Sequence, residues 1–278
     1  MLAREELARY ARQMLLPGFG VAGQERLKGS SVLVVGAGGL GSPALLYLVA
    51  AGVGRVGVVD DDVVDASNLH RQVLHGSADL GRPKTESAAE RLRELNPHVA
   101  LEPLPARLTG DDAREVVSEY DVVLDGSDNF PTRYLVNDAC VLAGKPLVFG
   151  ALSRLDGQVG VLVRGSVGEA DAARDDRVAC YRCAFPTPPA PGTVPSCAEA
   201  GVFGPLPAVV GSLMASEALK LLLGWEGVLA GRLLLVDLAA AATQSVALER
   251  DPACPACGDA PTITGPIDYE AFCGVTRD

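Results

Sequence analysis

The hydrophobic pattern between residues 31 and 60 predicts a strand, a helix and a second strand. Val32–Val35 is a continuous apolar run, as in strands covered on both faces, and Leu40–Ala51 is apolar at helical length. Val56–Val59 follows as another buried strand. Parallel strands with a right-handed helical crossover are the usual outcome of this pattern. The core therefore begins as an open, mostly parallel α/β sheet.

The same alternation continues through the middle of the chain. Periodicity and breaker residues there predict further helices and strands in turn. The predicted strands are Val99–Leu101, Val122–Leu124, Pro146–Phe149 and Gln158–Val163, and the predicted helices are Lys84–Leu95, Ala113–Ser118 and Pro131–Ala143. A Rossmann-like α/β fold, with helices flanking the sheet, is the expected architecture.

The last third of the chain is less regular. Gly165–Pro195 is rich in proline, glycine and charge, which predicts a long irregular segment. Pro207–Leu223 is predicted as an apolar helix and Leu233–Asp237 as a strand, before a cysteine-bearing tail without a clear period. We expect one domain over residues 1–278, made of a helical arm (1–30), a nucleotide-binding core (31–150) and a further part (151–278).

Composition and charge narrow the class of protein. The chain has 278 residues, of which 48% are hydrophobic and 21% charged, as in ordinary globular domains. Its net charge of -11 argues against a broad nucleic-acid surface, which needs clustered cations. The N-terminus lacks the apolar core of a signal peptide, and we find no run of about 20 apolar residues. We therefore expect a cytoplasmic protein that binds neither nucleic acid nor membrane.

A glycine loop between the first strand and helix indicates a nucleotide site. Gly36, Gly38 and Gly41 fit the pattern G-x-G-x-x-G, in which small residues let phosphates approach the helix N-terminus. Asp60 closes the second strand, where a carboxylate can accept hydrogen bonds from a ribose. A purely structural glycine turn is the alternative, but the strand-loop-helix setting favours a nucleotide.

Cations and carboxylates beyond Asp60 bear on which nucleotide is bound. A dinucleotide needs little added positive charge, whereas the triphosphate of ATP needs counter-cations, which Arg71 and Lys84 could supply. A solvated charged loop is the plainer interpretation of these two residues. Asp125 and Asp128 follow another predicted strand, and one of them could hold Mg²⁺.

Two C-x-x-C pairs, Cys180/Cys183 and Cys254/Cys257, supply the four thiolates of a structural zinc site. The long separation of the pairs leaves two redox dithiols as an alternative. We favour Zn²⁺ because neither pair is predicted to open a helix after a strand, as thioredoxin-like motifs do.

The remaining cysteines differ in their expected surroundings. Cys140 lies in a predicted apolar helix and should be a buried, inert thiol. Cys197 precedes the long apolar helix in an irregular segment, where a thiol can be exposed and its thiolate favoured. Cys273 lies near the end of the chain and has no identifiable partner.

Several motifs together resemble the MoeB/ThiF family of bacterial relatives of ubiquitin-activating enzymes. The resemblance extends over nearly the whole chain. Its motifs are "RYARQ" (9–13), "GAGGLGSP" (36–43), "SNLHRQ" (67–72), "GRPK" (81–84), "DGSDNF" (125–130), "CYRC" (180–183), "SCAEAGVFG" (196–204) and "CPAC" (254–257).

The resemblance implies an ATP-dependent adenylyltransferase that activates the C-terminal glycine of a ubiquitin-like sulfur carrier protein ending in Gly-Gly. ATP, Mg²⁺ and a structural Zn²⁺ are the implied cofactors. Residues 151–278 would bind the carrier as well as zinc. Implied nucleotide contacts are Gly36, Gly38, Gly39, Gly41, Asp60 at the ribose, Asn68, Gln72, and Arg71 and Lys84 at the phosphates, with Asp128 at the magnesium.

The resemblance also implies partners. Arg12 would reach the ATP site of the neighbouring subunit of a homodimer, although Arg9 and Arg12, three apart on a predicted N-terminal helix, otherwise suggest a solvated face. Some relatives carry an acyl or sulfur intermediate on the cysteine matching Cys197, and others adenylate without it. Because the chain resembles relatives that continue into a rhodanese domain but ends at Asp278, we expect a separate sulfur donor, a cysteine desulfurase or a rhodanese.

Two other classes of function remain as alternatives. An NAD-dependent oxidoreductase would explain the glycine loop and Asp60, but it leaves Arg71, Lys84 and the cysteine pairs without a role. A non-catalytic, zinc-bearing scaffold would bind a carrier without turning over ATP. The particular carrier is not fixed by the sequence, so thiamine, molybdenum cofactor, tRNA thiolation and cysteine synthesis all remain open.

Overall fold

An eight-stranded sheet forms the centre of the computed structural model, which describes residues 1–162, 178–194 and 197–275. Its strands are β1 (Ser31–Val35), β2 (Arg55–Val59), β3 (Ala100–Leu104), β4 (Val122–Asp125), β5 (Leu147–Ser153), β6 (Asp156–Leu162), β7 (Arg232–Asp237) and β8 (Ala242–Ala247). They lie in the order β3-β2-β1-β4-β5-β6-β7-β8. Pairing is parallel from β3 to β5 and antiparallel from β5 to β8. The predicted open, mostly parallel α/β sheet is confirmed.

Helices cover both faces of this sheet. In chain order they are α1 (Arg4–Arg9), α2 (Ala11–Met14), α3 (Gly20–Lys28), α4 (Gly41–Ala51), α5 (Lys84–Leu95), α6 (Ala113–Ser118), α7 (Phe130–Ala143), α8 (Tyr181–Ala184), α9 (Cys197–Ala200), α10 (Pro205–Leu223) and α11 (Tyr269–Phe272). Apolar side chains of α4, α5 and α10 form the core on one face, and those of α6 and α7 form it on the other.

Strand β1 shows why the sequence pattern is a continuous apolar run. Val32 and Val34 belong to the core beneath α4 and α10, whereas Leu33 and Val35 belong to the core beneath α6 and α7. Successive side chains of a strand point to opposite faces, so covering both faces requires apolar residues at every position. All five residues of β1 are buried accordingly.

Local signals place several element ends where the sequence predicts them. Lys84–Leu95 and Ala113–Ser118 have the predicted bounds. Helix α7 begins where Asn129 Oδ1 accepts a hydrogen bond from Thr132 N–H, and it ends at Gly144, whose φ of +65° is left-handed. Side-chain caps at the start and left-handed glycines at the end satisfy the free backbone groups of a helix.

The N-terminal arm differs from the predicted single helix. Helix α1 ends at Arg9 and α2 begins at Ala11, so Arg9 and Arg12 do not share one helix. Tyr10 lies between them, and its buried hydroxyl accepts a hydrogen bond from Asn96 Nδ2 at 2.8 Å. Anchoring Tyr10 to the core interrupts the arm, and the helical spacing argument for Arg9 and Arg12 is therefore wrong.

Two other features were not evident from the pattern. Strand β8 pairs with β7 at the sheet edge and has six exposed residues, so it carries no apolar alternation to reveal it.

Helix α10 is long and apolar enough to cross a membrane by length and composition, although we expected no apolar run of membrane-spanning length. In this fold α10 packs against β5 and β6, and 56% of its apolar window is buried, as in a core helix.

Candidate active site

The glycine loop lies where the strand order reverses between β1 and β4. Gly36 has a left-handed φ of +93°, and a Cβ there would lie 3.0 Å from the carbonyl oxygen of Gly126, just beyond β4. A Cβ at Gly41, the first residue of α4, would lie 1.8 Å from the carbonyl oxygen of Gly36. Both positions therefore require glycine. Open α/β sheets bind ligands in the crevice at such a switch point.

Asp60 holds the glycine loop directly. Its Oδ2 accepts a hydrogen bond from Ala37 N–H at 2.7 Å, and its Oδ1 accepts one from Asp62 N–H at 2.8 Å. Burial raises the pKa of this carboxyl, while the nearby charge of Lys84 opposes the shift. The carboxylate at the end of β2 thus joins the glycine loop to the segment that follows β2.

The segment after β2 folds back over the glycine loop. Gln72 Nε2 lies 3.4 Å from the position of a Cβ on Gly38, and Arg71 Cδ lies 3.9 Å from that on Gly39. Asn68 Oδ1 accepts hydrogen bonds from Arg71 Nη2 at 2.6 Å and from Gln72 Nε2 at 3.2 Å. The structure therefore brings these predicted residues together above the loop.

Gln72 has an unsatisfied oxygen in this arrangement. The residue is buried, and among the described residues its Oε1 has no hydrogen-bond partner. A buried acceptor without a donor is unfavourable by about 1–3 kcal/mol, so such atoms often mark the place of a ligand or water.

Lys84 brings a second cation to the same edge. It is the first residue of α5, and its ammonium pairs with Asp62 Oδ2 at 2.7 Å. The Lys84 side chain is only 7% exposed, whereas that of Asp62 is 68% exposed. The ammonium is thus held within the protein, close enough to Asp60 to oppose the rise in its pKa, while its partner carboxylate faces solvent.

The end of β4 and the loop after it carry two aspartates in different surroundings. Asp125 is buried, and its Oδ1 accepts a hydrogen bond from Ser127 N–H at 2.9 Å. Burial raises the pKa of the Asp125 carboxyl, and the charge of Arg133 opposes the shift. Asp128 is exposed at the sheet edge. Of the two, Asp128 is the carboxylate that solvent or a hydrated cation can reach.

Arg133 fixes this loop, although no sequence motif indicated a role for it. Its Nη2 donates to the carbonyl oxygen of Ser127 at 3.0 Å, and its guanidinium lies 5.4 Å from the ring centroid of Phe149. Burial raises the pKa of the nearby Tyr181 phenol, and the charge of Arg133 opposes the shift. These contacts depend on α7 packing beside β5, which the order of residues does not reveal.

Arg12 lies apart from these residues. It is exposed on α2, and within the described ranges it makes no hydrogen bond or ion pair. Arg9, in contrast, donates from Nη1 to the carbonyl oxygen of Leu95 at 2.8 Å. A single chain therefore does not bring Arg12 to the glycine loop.

The four paired cysteines converge, as predicted. Their sulfur atoms lie within 4.8 Å of one another. The closest separations are 3.4 Å for Cys183 and Cys257, 3.7 Å for Cys180 and Cys254, and 4.0 Å for Cys180 and Cys183. Tetrahedral thiolates at the usual Zn–S distance of about 2.3 Å are about 3.8 Å apart. The cluster therefore fits a zinc ion.

Groups around the cluster favour charged sulfur. Asp251 N–H donates to Cys183 Sγ at 3.4 Å, which supports a thiolate. Cys180 is the N-cap residue of the short helix α8, but residues 178–180 before it are not a strand, so this pair does not open a helix directly after a strand. The convergence of both pairs argues for one metal site over two separate dithiols.

The other cysteines occupy different positions. Cys140 is buried in α7 as predicted, and burial raises the pKa of its thiol. Cys273 is also buried, at the end of α11, with its thiol pKa raised by burial. Cys197 begins α9, but its side chain lies outside the described residues. Its predicted exposure is therefore untested.

A buried ion pair links the cysteine cluster to the core. Arg182, between the two cysteines of the first pair, donates from Nε and Nη2 to the Asp138 carboxylate at 2.8 Å each. Its guanidinium lies 4.8 Å from the ring centroid of Tyr134 and 4.6 Å from that of Phe272. This contact ties α8 and α11 to α7. No sequence spacing predicts it.

Several proteins with adenylyltransferase in their names are similar in sequence to this chain. The chain is 60% identical over 276 residues to the sulfur carrier protein adenylyltransferase of Thermus thermophilus, covering 98% of both chains. It is 49% identical over 277 residues to the probable adenylyltransferase/sulfurtransferase MoeZ of Mycobacterium tuberculosis, covering 67% of that protein. Mouse MOCS3, named adenylyltransferase and sulfurtransferase, is 50% identical over 274 residues, with 57% of its length covered.

Solved structures support the fold. Escherichia coli MccB with MccA-N7isoASN superposes with a TM-score of 0.78 at 23% identity, covering 90% of this chain and 74% of that one. At this identity the likeness concerns the fold alone. Residues 10–256 match the ThiF family, and together with the close relatives this places the chain in that family. The protein belongs to the ThiF family.

Proposed function

We propose that this protein is an ATP-dependent adenylyltransferase that activates the C-terminal glycine of a ubiquitin-like sulfur carrier protein. The observation that carries the proposal is the glycine loop at the switch point, with Arg71 folded over it and the ammonium of Lys84 fixed beside it. The names of the close relatives point to the same activity. Adenylation leaves an acyl-adenylate, ready for later thiocarboxylation.

The surroundings of the loop fit ATP better than NAD. Gly36 and Gly41 permit the tight turn into α4, whose N-terminal N–H groups favour phosphates, and Arg71 and Lys84 would offset the charge of a triphosphate. The unsatisfied Oε1 of Gln72 can accept a hydrogen bond from a bound ligand. An NAD-dependent oxidoreductase leaves these groups unexplained, and the close relatives are named adenylyltransferases. A scaffold that turns over no ATP is disfavoured for the same reasons.

The reaction we propose is an in-line displacement. The carrier's terminal carboxylate, already ionised at neutral pH, attacks the α-phosphorus of ATP, and pyrophosphate leaves. No protein nucleophile is needed, so Cys197 has no part in this step. The residues orient two anions and offset their repulsion, which is the task we assign to Arg71 and Lys84. Mg²⁺, held by Asp128, would neutralise charge developing on the phosphates.

We assign a structural zinc ion to Cys180, Cys183, Cys254 and Cys257. The sulfur spacing fits tetrahedral thiolates, and four protein ligands leave no open position for catalysis. The ion would join α8 to the segment before α11 and so hold the C-terminal part of the chain against α7.

We also propose a homodimer with two composite sites. The arm and its neighbours expose large apolar side chains, including Leu15 at 74%, Val21 at 51% and Tyr47 at 58%. A cavity of about 290 Å³, lined by residues such as Phe19 and Trp225, opens on the same side. Apolar patches of this kind mark interfaces. Arg12, which lacks partners within the described ranges, would reach the partner subunit's ATP site.

The carrier and the sulfur donor belong to the proposal as well. A carrier ending in Gly-Gly would bind residues 151–278, where the exposed edge strand β8 offers unpaired backbone groups. A separate cysteine desulfurase or rhodanese would supply sulfur to the acyl-adenylate. Cys197 remains a candidate for carrying an acyl or sulfur intermediate in that later step.

ATP–pyrophosphate exchange with Mg²⁺, in the presence and absence of a Gly-Gly carrier, tests the function directly. We expect exchange that depends on the carrier and that falls when its last glycine is removed. If folded, zinc-loaded protein shows no exchange with any Gly-Gly carrier of its own organism, the catalytic proposal fails and the scaffold takes its place.

A further inference from the structure

A buried histidine that carries none of the predicted roles touches the glycine loop. His75 is 7% exposed and lies after the "SNLHRQ" motif, in a stretch to which the sequence assigned no role. One ring nitrogen, Nε2, lies 2.9 Å from the carbonyl oxygen of Ala37, inside the glycine loop. The other, Nδ1, lies 2.8 Å from Ser87 Oγ on α5.

We infer that His75 is a positioning residue for the nucleotide: by holding the Ala37 carbonyl, it turns the Gly38 N–H outward for a phosphate oxygen. The inference rests on the proposed function and deepens it. His75 itself touches neither nucleotide nor carrier in this account.

The hydrogen bonds fix which ring nitrogen carries the proton. A carbonyl oxygen only accepts, so Nε2 must be the protonated nitrogen that donates to Ala37. In the neutral ring Nδ1 then accepts from the Ser87 hydroxyl, which can donate or accept. Burial lowers the pKa of His75, which favours the neutral ring at pH 7. Ser42 Oγ also lies near the Ala37 oxygen, but farther away, at 3.4 Å.

Because the peptide bond is planar, the hydrogen bond from His75 to the Ala37 carbonyl also sets the direction of the Gly38 N–H. In a trans peptide the C=O of one residue and the N–H of the next point in opposite directions. Drawing the Ala37 C=O toward His75 therefore turns the Gly38 N–H away from the protein interior. Within the described part of the chain this N–H donates no hydrogen bond, whereas the carbonyl of Gly38 accepts one from Ser42 N–H at 2.9 Å.

Asp60 fixes the other backbone polar group of Ala37, its N–H. It accepts the Ala37 N–H at 2.7 Å, while His75 donates to the Ala37 C=O at 2.9 Å. Both peptide planes that flank Ala37 are thereby fixed. A preorganised N–H group binds an anion more tightly than one that must first be ordered.

Two substitutions separate the two hydrogen bonds of the ring. In His75→Gln the amide nitrogen takes the place of Nε2 and can still donate to Ala37, whereas in His75→Asn the amide lies near the place of Nδ1. We expect the Kd for Mg-ATP to rise about tenfold in His75→Asn and to stay within about threefold of wild type in His75→Gln.

A matched control tests for a merely structural effect. Tyr120 is buried just before β4, at the end of the strands opposite the glycine loop, and its hydroxyl donates to Glu102 Oε2 at 2.6 Å. Tyr120→Ala should lower the Tm at least as much as His75→Asn while leaving the Kd for Mg-ATP unchanged. Equal weakening in His75→Gln and His75→Asn, or in Tyr120→Ala, overturns the inference.

Mg-ATP binding is measured without a carrier, so it tests the positioning role of His75 even if carrier-dependent exchange is absent. That absence would count against the proposed function alone. Imidazole ¹⁵N spectra of the wild-type protein give an independent check that needs no variant. They should show His75 neutral and protonated at Nε2, and a ring protonated only at Nδ1 would overturn the inference.

Discussion

The nucleotide region and the cysteine cluster both bring together side chains that can bind ligands, but only in the first are the charged groups already paired within the protein. In the nucleotide region Lys84 pairs with Asp62 and Arg71 donates to Asn68, so each cation already has a partner. In the cluster the four sulfur atoms face one another within 4.8 Å. Thiolates so close repel unless a cation lies between them. The first region can therefore form before its ligand binds, whereas the second depends on its metal.

The largest effect should come from breaking the cysteine cluster. Cys183→Ser should abolish zinc binding and lower the free energy of unfolding by about 5 kcal/mol or more, since metal binding and folding are coupled at such sites. Denaturant unfolding and zinc analysis measure both. Cys140→Ala removes a buried thiol outside the cluster, so it should lower the free energy of unfolding by about 1 kcal/mol and leave zinc bound. Similar losses in both variants would contradict a structural zinc site.

Removing a cation from the nucleotide region should affect rate more than stability. Lys84→Ala and Arg71→Ala should each slow ATP–pyrophosphate exchange by about 100-fold, because a preorganised charge at an anionic transition state is lost. Arg107 offers a matched control, since it pairs with the neighbouring Asp61 at 3.1 Å on the surface. Arg107→Ala should leave exchange unchanged. Unaltered rates in the first two variants would refute the site assignment.

A smaller effect should reveal how the two regions are connected. Tyr181 follows Cys180 of the cysteine cluster. Burial raises the pKa of its phenol and the nearby charge of Arg133 opposes the shift, while Arg133 holds the Ser127 carbonyl beside Asp128. Tyr181→Phe should slow exchange about three- to tenfold with zinc retained, because a polar group near the guanidinium that fixes the loop is lost. Tyr134→Phe loses a hydroxyl bonded to the Phe185 carbonyl instead. Tyr134→Phe should leave the exchange rate unchanged. A loss of rate comparable to that of Tyr181→Phe would contradict a specific connection between the two regions.

The smallest effect should be a pH dependence of opposite sign in the two regions. Burial raises the pKa of Asp60 above its usual 3.8, so the folded protein holds this proton more tightly than the unfolded chain. Its contribution to stability is therefore present at low pH and is lost as pH rises through the folded pKa. Zinc binding changes the other way, because protons compete with the metal for thiolates.

Unfolding measured between pH 4 and pH 7 in wild type and Asp60→Asn isolates this contribution. In the wild-type protein, ionisation of Asp60 should lower the free energy of unfolding as pH rises. This contribution should be absent from Asp60→Asn, whereas the zinc content should fall on acidification in both proteins. A steeper decrease in the variant would mean that the sign assigned to Asp60 is wrong.

The motifs predicted much of the site because they lie at strand ends. Gly36 and Asp60 each follow a buried parallel strand and Asp125 ends one, and the carboxyl ends of such strands meet at one edge. His75 and Arg133 could not be found this way. His75 hydrogen-bonds the carbonyl of Ala37, and Arg133 hydrogen-bonds that of Ser127. Every residue has a backbone carbonyl, so the sequence does not show which carbonyl a side chain will contact.

By itself, the sequence determined the parallel core, the glycine loop and the two cysteine pairs, because burial on both sheet faces and left-handed turns restrict which residues are allowed. The tertiary structure decided what those residues touch. Only the packing of segments distant in sequence brought Cys180 beside Cys254, broke the arm at Tyr10 and placed His75 beneath the glycine loop. Contacts of this kind depend on the geometry of the whole sheet, which no local pattern encodes.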